Sequence, residues 1–463
     1  MTASAPKRLR YTYFSCFSPG ALQASWNHPK SAGFDYLNLD SWLKLAQALE
    51  EAKFDAFFWA DHLGVHDIYR NSYEDAVRNA MQYPVADPVI LAATLAASTT
   101  NLGFAFTANV IQDHPYVFAR RLSTLDHLTR GRIAWNVVTS FQPSAWRNLG
   151  HAEMRSHDAR YEQADEYLQV LYKLLEGSWE DDAVVRDLEE VVYADPDKVH
   201  PIGHEGQYYK VPGIQTVEPS PQRMPVIFQA GTSTTGRAFA ANNAEAIFML
   251  PLDPAGAKQT IDDIRAQFVE RGRRASDALF FVSESVIVGS TEEEAKRKLE
   301  EFRAYRHKDF DLVFVSSNFG FDLSVVDPDT PIADLEVNAL QGQIKAFADS
   351  APDKTVTLRD LTATLSANLL TVGTPEQIAD KFEAWQAAGV DGINLTSVGG
   401  YLDVYDFIEQ VVPLLKKRGL MQEEYEEGTL REKLFAGTES PSGPRLNDRH
   451  MASKFRKSST VSA

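Results

Sequence analysis

The sequence predicts an α/β protein, a closed (β/α)8 barrel carrying insertions. Three observations predict it. Eight short β-rich apolar runs recur, at 11–17, 54–60, 102–110, 132–138, 225–230, 245–250, 279–288 and 392–398. Runs such as FDAFFWA and PVIFQA are apolar throughout rather than alternating, which suits strands buried on both faces of a parallel sheet. Helical patterns lie between them, and that alternation favours a closed barrel over an open doubly wound sheet.

The helices have readable boundaries. Trp42, Leu45, Ala46 and Leu49 make one apolar stripe, with Asp40 as the expected cap. Asp87 and Pro88 read as N-cap and first helical residue of a helix through Ala97. Tyr161, Ala164, Leu168, Leu171 and Leu175 step by three and four along a longer helix. Thr374, Pro375 and Gln377 form a capping-box signal.

Two stretches interrupt the rhythm, at about 178–223 and 307–373. The first carries ADPDKVHPIGHEG and EPSPQR; the second carries NFGFD, VDPDTP and a helical patch around 339–348. Both are long for barrel loops and read as insertions, either lids or pocket walls or simply added packing. The expected organisation is one barrel domain over 1–435. A Ser/Pro/Gly-rich tail follows over 436–463, either an extended arm or disordered.

Bulk composition narrows the function classes. The chain has 463 residues, 44% hydrophobic and 24% charged, with a formal net charge of -18. That charge argues against a broad nucleic-acid footprint. No apolar run reaches the roughly 18 residues of a membrane span. The start MTASAPKRLRYTYF lacks a secretory apolar segment, so a soluble, cytoplasmic protein is expected. A lone cysteine, Cys16, excludes an internal disulfide and a cysteine-only metal cage. No HExxH, GxSxG or strand-linked GxGxxG is present, so no metal site, serine elbow or dinucleotide site of its own is expected.

Barrel chemistry collects where strands end at the C-terminal face. There the sequence turns polar: Asp61-His62, Thr107-Ala108-Asn109, Asn136 with Thr139-Ser140, and Gln229-Ala230-Gly231. The segment GTSTTGR, Gly231 to Arg237, follows a buried strand and opens a helix. Free N–H groups, hydroxyls and the helix N-terminus would all favour a phosphate there. A Ser/Thr-rich helix cap explains the same residues, and both readings stay open. His157 and Tyr161, four apart beside Arg160, can reach one ligand or merely start a helix. Asp61 and Glu284 keep a two-carboxylate glycosidase in play.

At these same segments the chain resembles a known family. FDAFFWADHLG, ARRLSTLDHLTRGRIAWNVVTS, HDARYEQADEYLQVLYKLLEGSWEDDAV, KVHPIGHEGQYYKVPG, EPSPQRMPVIFQAGTSTTGR and YEEGTLREKLF carry the resemblance over nearly the whole chain. It is similar to the bacterial luciferase-like superfamily, in the group of FMNH2-dependent two-component monooxygenases. Members of that group act on nitrilotriacetate, EDTA, dibenzothiophene sulfone, dimethyl sulfide and long-chain alkanes. DIYRNSYEDAVRNAMQYPVADP brings the dimethyl sulfide and alkane members nearest.

The resemblance implies FMN at the C-terminal face. Asp61, Thr107 and Asn136 would border the flavin ring, and His157 and Tyr161 would reach the ribityl-phosphate side. Ser233 would bind the phosphate, with Gly231 letting the backbone approach it. A separate NAD(P)H:flavin reductase would deliver FMNH2. Reaction with O2 at the flavin C4a position would give a peroxide that passes one oxygen atom to a small-molecule substrate. Asn136 would act as a hydrogen-bond donor near that edge, with His62 and His66 as further catalytic candidates. A homodimer or homotetramer is implied.

Departures concern the substrate. The alkane enzymes carry cysteine and histidine in the first-strand loop, where an ungapped reading puts Phe17 and Gly20, with Cys16 adjacent. His66 stands where they have tyrosine, and Phe141 where they have histidine. Phe14, Phe17, Trp26 and Phe141, with His28, His62 and His66, predict an aromatic-rich pocket for a small apolar, aromatic or organosulfur substrate. A barrel oxidoreductase using deazaflavin F420 and a non-catalytic flavin-binding protein are the competing readings.

Overall fold

The computed structural model describes residues 8–19, 25–32, 34–231, 233–251, 253–334, 356–366, 369–440 and 443–457. Eight parallel strands run in chain order around a closed barrel: β1 (Arg10–Cys16), β2 (Ala56–Ala60), β3 (Gly103–Asn109), β4 (Ile133–Val138), β5 (Val226–Gln229), β6 (Ala246–Met249), β7 (Leu279–Val288) and β8 (Gly392–Thr396). Closure is direct, with Ala246 of β6 paired to Leu279 of β7 and Gly392 of β8 paired to Arg10 of β1. All eight runs read from the sequence are strands. Their uninterrupted apolar character follows from burial on both sides, by the barrel interior and by the surrounding helices.

Alternation sorts each strand. On β2, Phe57 and Trp59 face the helical layer while Phe58 points inward; on β4, Ile133 and Trp135 face out while Ala134 faces in. The interior is filled by Phe14, Phe58, Phe228, Phe248 and Phe281 among small residues such as Ala105, Ala134 and Ala246. Their rings pack at 5.0 Å (Phe58–Phe248), 5.2 Å (Phe228–Phe248) and 5.5 Å (Phe228–Phe281) between centroids. Each such pair adds about 0.5–1.5 kcal/mol to the burial itself.

The N-terminal end of the barrel is stoppered by the chain's own helix Leu430–Phe435, which opens with a capping box between Thr429 and Glu432. Leu430, Leu434 and Phe435 enter the interior cluster. A Cβ at Gly103 would lie 2.6 Å from Leu430 Cδ1, so β3 needs glycine where the stopper seats. Arg431 binds Glu245 through Nε at 2.7 Å and Nη2 at 2.9 Å, and also donates to the carbonyls of Met224 and Pro444. Arg10 donates to the carbonyls of Leu434 and Ala436.

Several details differ from the sequence reading. The cap of helix Leu39–Ala52 is Asn38, whose side chain accepts from the Asp40 N–H; Asp40 lies within the first turn. A further parallel strand, Leu369–Gly373, pairs with the second half of β7. The insertion at 178–223 holds two small hairpins, Val184–Asp187 with Val192–Ala194 and His204–Glu205 with Lys210–Val211. In the second insertion, helix Phe310–Phe319 packs against helix Leu358–Ser366; the patch around 339–348 lies outside the described residues. In the tail, Leu446 and Ala452 are buried, and Arg445 and Arg456 both bind Glu176 on helix His157–Gly177.

Glu245→Gln leaves the buried Arg431 guanidinium without its counter-charge. Breaking a buried pair in this way costs about 3–5 kcal/mol. The expected result is a clear fall in the urea unfolding midpoint, whereas an unchanged midpoint would remove the stopper's ion pair from the stability argument.

Candidate active site

Beyond the phenylalanine layer the inward positions become polar. Thr107 and Asn136 are register partners on β3 and β4, so alternation turns both into the barrel mouth. The Asn136 amide donates to Thr107 Oγ1 at 3.0 Å, while its Oδ1 is buried with no partner. On β7, Ser285 bonds Thr396 of β8 at 2.6 Å, and Ser283 Oγ is buried and unpartnered. Sequence reading missed these serines, although two-residue steps from inward-facing Phe281 reach both. Asp61 follows the end of β2. Burial first, and the nearby Asp87 charge second, push its carboxyl up to about 7.

The anion cradle lies where β5 hands over to helix Thr234–Asn243. Ser233 caps that helix, its Oγ accepting from the Gly236 N–H at 3.0 Å. His157 Nε2 lies 3.3 Å from the same Oγ, and the His157 and Tyr161 rings meet at 5.1 Å. A Cβ at Gly231 would fall 2.2 Å from Gln229 Nε2, 2.8 Å from the Tyr161 hydroxyl and 2.9 Å from Gly236 Cα. Only glycine allows these groups to converge. Thr235 and His157 both bond Asp158, each at 2.9 Å. Arg160 donates to the carbonyl of Ser140, a residue at φ +57°, and its buried Nε has no partner. The helix cap and the candidate cradle are the same residues, and Arg160 is held at the neighbouring segment after β4.

The loop after β2 carries His62 and His66, their rings 5.8 Å apart. Burial, then His66, brings His62 down to about 3; burial brings His66 to about 4. Both are neutral near pH 7. His66 also meets Phe314 of the second insertion at 5.8 Å.

The predicted pocket residues divide. Phe14 faces the interior, against Phe58 at 5.0 Å. Phe17 lies outside the strand and packs edge-on against Trp42 and Tyr36 of the outer layer. His28 is buried against Tyr305 in a separate cavity lined also by Lys30, Lys298 and Asp403. Trp26 and Phe141 are exposed, and Gly20 lies outside the described residues. Glu284 points outward from β7 to Lys381 at 2.6 Å and to Thr371, so it cannot pair with Asp61 as a glycosidase would need. Among the described residues no group of three or more His, Cys, Asp or Glu could hold a metal ion, and no helix is long and apolar enough to cross a membrane.

A closed parallel barrel, stoppered at one end and polar at the other beside an anion cradle, defines a (β/α)8 enzyme with its site at the C-terminal face. Residues 13–392 match the family model described as luciferase-like monooxygenase, and the chain belongs to that family. It is 45% identical over 436 residues to the long-chain alkane monooxygenase of Geobacillus thermodenitrificans (strain NG80-2), covering 94% of each chain. It is 43% identical to the dimethyl-sulfide monooxygenase of Hyphomicrobium sulfonivorans, covering 93% of this chain and 90% of that one. Nitrilotriacetate monooxygenase component A of Aminobacter aminovorans is 33% identical, over 90% of this chain and 94% of its own. The crystal structure of a long-chain alkane monooxygenase superposes with a TM-score of 0.87 at 43% identity, covering 98% of this chain and 100% of that one. That of a riboflavin lyase with modified FMN and riboflavin gives 0.87 at 36% identity, with the same coverage.

Asp61→Asn tests the buried carboxyl. Between the ordinary carboxylate range and about 7, the folded chain keeps a proton that the unfolded chain has released. The native protein therefore loses stability as pH rises through that window. The variant's advantage in unfolding free energy, measured by urea titration, is expected to widen from pH 5 to pH 8 by an amount of the order of 2–3 kcal/mol. A pH-independent difference would place the Asp61 pKa in the ordinary range.

Proposed function

We propose that this chain is the oxygenating component of a two-component monooxygenase, working as a cytoplasmic homodimer or homotetramer. It would take reduced FMN from a separate NAD(P)H:flavin reductase and use O2 to place one oxygen atom on a small apolar, aromatic or organosulfur substrate. The observation that carries this reading is that the Gly231–Ser233 segment follows β5, the direct neighbour of β4, whose Asn136 pairs with Thr107 of β3 as inward polar groups at the same end of the barrel. The name "component A" of one relative supports the division of labour with a reductase.

The residues fit FMN. Ser233, His157 and Tyr161 offer hydroxyl and imidazole groups to a phosphate, and the space reserved by Gly231 lets backbone approach it. The orphaned Oδ1 of Asn136, beside Thr107, offers an acceptor to a ring N–H. Reduced FMN supplies the electrons that activate O2 once it is bound. The chain's own part is to hold the ring, orient it through Asn136, and keep bulk water from the reacting edge. Asp61, held protonated up to about pH 7, adds no full charge below that pH. His62 and His66 border the substrate side as neutral groups.

Anaerobic titration with photoreduced FMN is expected to give a saturable isotherm, and its absence would overturn the reading. Ser233→Ala is expected to weaken that affinity about tenfold, since a hydrogen bond to a charged group contributes about 1.5–3 kcal/mol. Asn136→Ala, mixed with O2 and a sulfide or aromatic substrate, is expected to release a larger share of reducing equivalents as hydrogen peroxide. An unchanged coupling ratio would remove Asn136 from the oxygen-handling role.

A further inference from the structure

The loop after β2 and the segment after β4 bring together polar atoms that have nothing to bond. His62 Nε2, His66 Nδ1 and both amide atoms of Gln142 are sealed from solvent and unpartnered. Leaving such groups unmatched is unfavourable, so their grouping needs a reason.

Their proximity is built in. Gly64 sits between the two histidines, and a Cβ there would lie 2.6 Å from Gln142 Oε1 and 2.5 Å from Ser144 Oγ. Ser144 clamps the same loop, accepting from the Val65 N–H and donating to the Val65 carbonyl, both at 3.0 Å. Gln142 therefore lies flat against the loop that carries both imidazoles. His66 is steadied by Gln82 at 3.4 Å and by the Phe314 ring of the second insertion. The Arg147 guanidinium is paired with Asp67 at 2.5 Å, and Arg160 donates to the Ser140 carbonyl.

Resting on the monooxygenase reading, we propose that Gln142, His62 and His66 form the specificity wall of the active site and that the substrate is an uncharged molecule bearing a carboxamide-type group on an apolar body. A glutamine amide offers one donor and one acceptor side by side. Its two-point complement is a group with N–H beside C=O. The unpartnered nitrogens of the two neutral imidazoles remain as acceptors for the other N–H. A carboxylate has no N–H to offer the Gln142 Oε1, and a bare hydrocarbon would leave all four atoms unmatched.

Calorimetric titration of the flavin-free protein with benzamide, acetophenone, isopropylbenzene and benzoate tests this. The expected order is benzamide first, acetophenone weaker, isopropylbenzene at least tenfold weaker than benzamide, and no binding of benzoate. Gln142→Leu is expected to bring benzamide down to the level of isopropylbenzene, with reduced-FMN affinity measured on the same sample as the check on folding. Equal binding of benzamide and isopropylbenzene, undetectable benzamide binding, or a preference that survives in Gln142→Leu would each overturn the proposal. The ranking by the unaltered protein stands alone if the variant fails to fold. Failure of reduced FMN to bind would sink the monooxygenase reading and leave this ranking intact.

Discussion

Everything in this molecule depends on filling the inside of a closed eight-stranded barrel. A ring of that size leaves an interior just wide enough for side chains. Here the interior is filled by five phenylalanines packed against alanines and valines. The small residues are as necessary as the large ones, because five rings at 5–6 Å spacing need alanine opposite them. With the lower end closed by Leu430, Leu434 and Phe435, the next inward layer toward the strands' C-terminal ends becomes the floor of a site. Thr107 and Asn136 are neighbours for that reason: strand register fixes them on one level, and the phenylalanines fix that level.

Charge is distributed unevenly around the mouth. The ring-side groups are polar but neutral near pH 7: two imidazoles lowered by burial, an amide and hydroxyls, with Asp61 titrating at about 7. At the cradle side stand Arg160, the helix N-terminus at Ser233 and the His157–Asp158 pair. A dianionic tail and an uncharged reacting edge would each find the environment they need within one opening. Burial is the largest cause of the neutral side, with the Asp87 charge adding to it at Asp61 and His66 at His62.

Much of this was legible in the sequence because parallel barrel strands announce themselves as unbroken apolar runs. Strand Leu369–Gly373 did not, since LLTVG is short and follows a turn-rich insertion. The Asn38 cap was misplaced by two residues because Asp40 has the right chemistry but already has helical backbone. At the candidate site, Asp61, Thr107, Asn136, His157, Tyr161, Gly231 and Ser233 drew attention in the sequence because each stands at a strand end or a helix start. Phe17 and His28 were drawn into the expected pocket by proximity in sequence to β1. The chain turns after Cys16, and they meet Trp42 and Tyr305 instead. Gln142 carried no signal, since only the fold brings a loop glutamine against Gly64.

The extra strand beside β7 has a topological consequence. The chain leaves the barrel wall at Val288 and returns to lie along the same strand, with Glu284 paired to Leu369 and Val288 to Gly373. The excursion thus begins at Val288 and ends at Leu369, beside Glu284 four residues back on the same strand, so its ends lie roughly 14 Å apart. Its closure is insensitive to what lies between, because lengthening such a loop adds only a logarithmic entropy cost. Phe314, which touches His66, belongs to this excursion. One wall of the site is therefore carried by a segment that leaves one barrel strand and rejoins that same strand, while the stopper and the Ser233 helix cap belong to other parts of the chain.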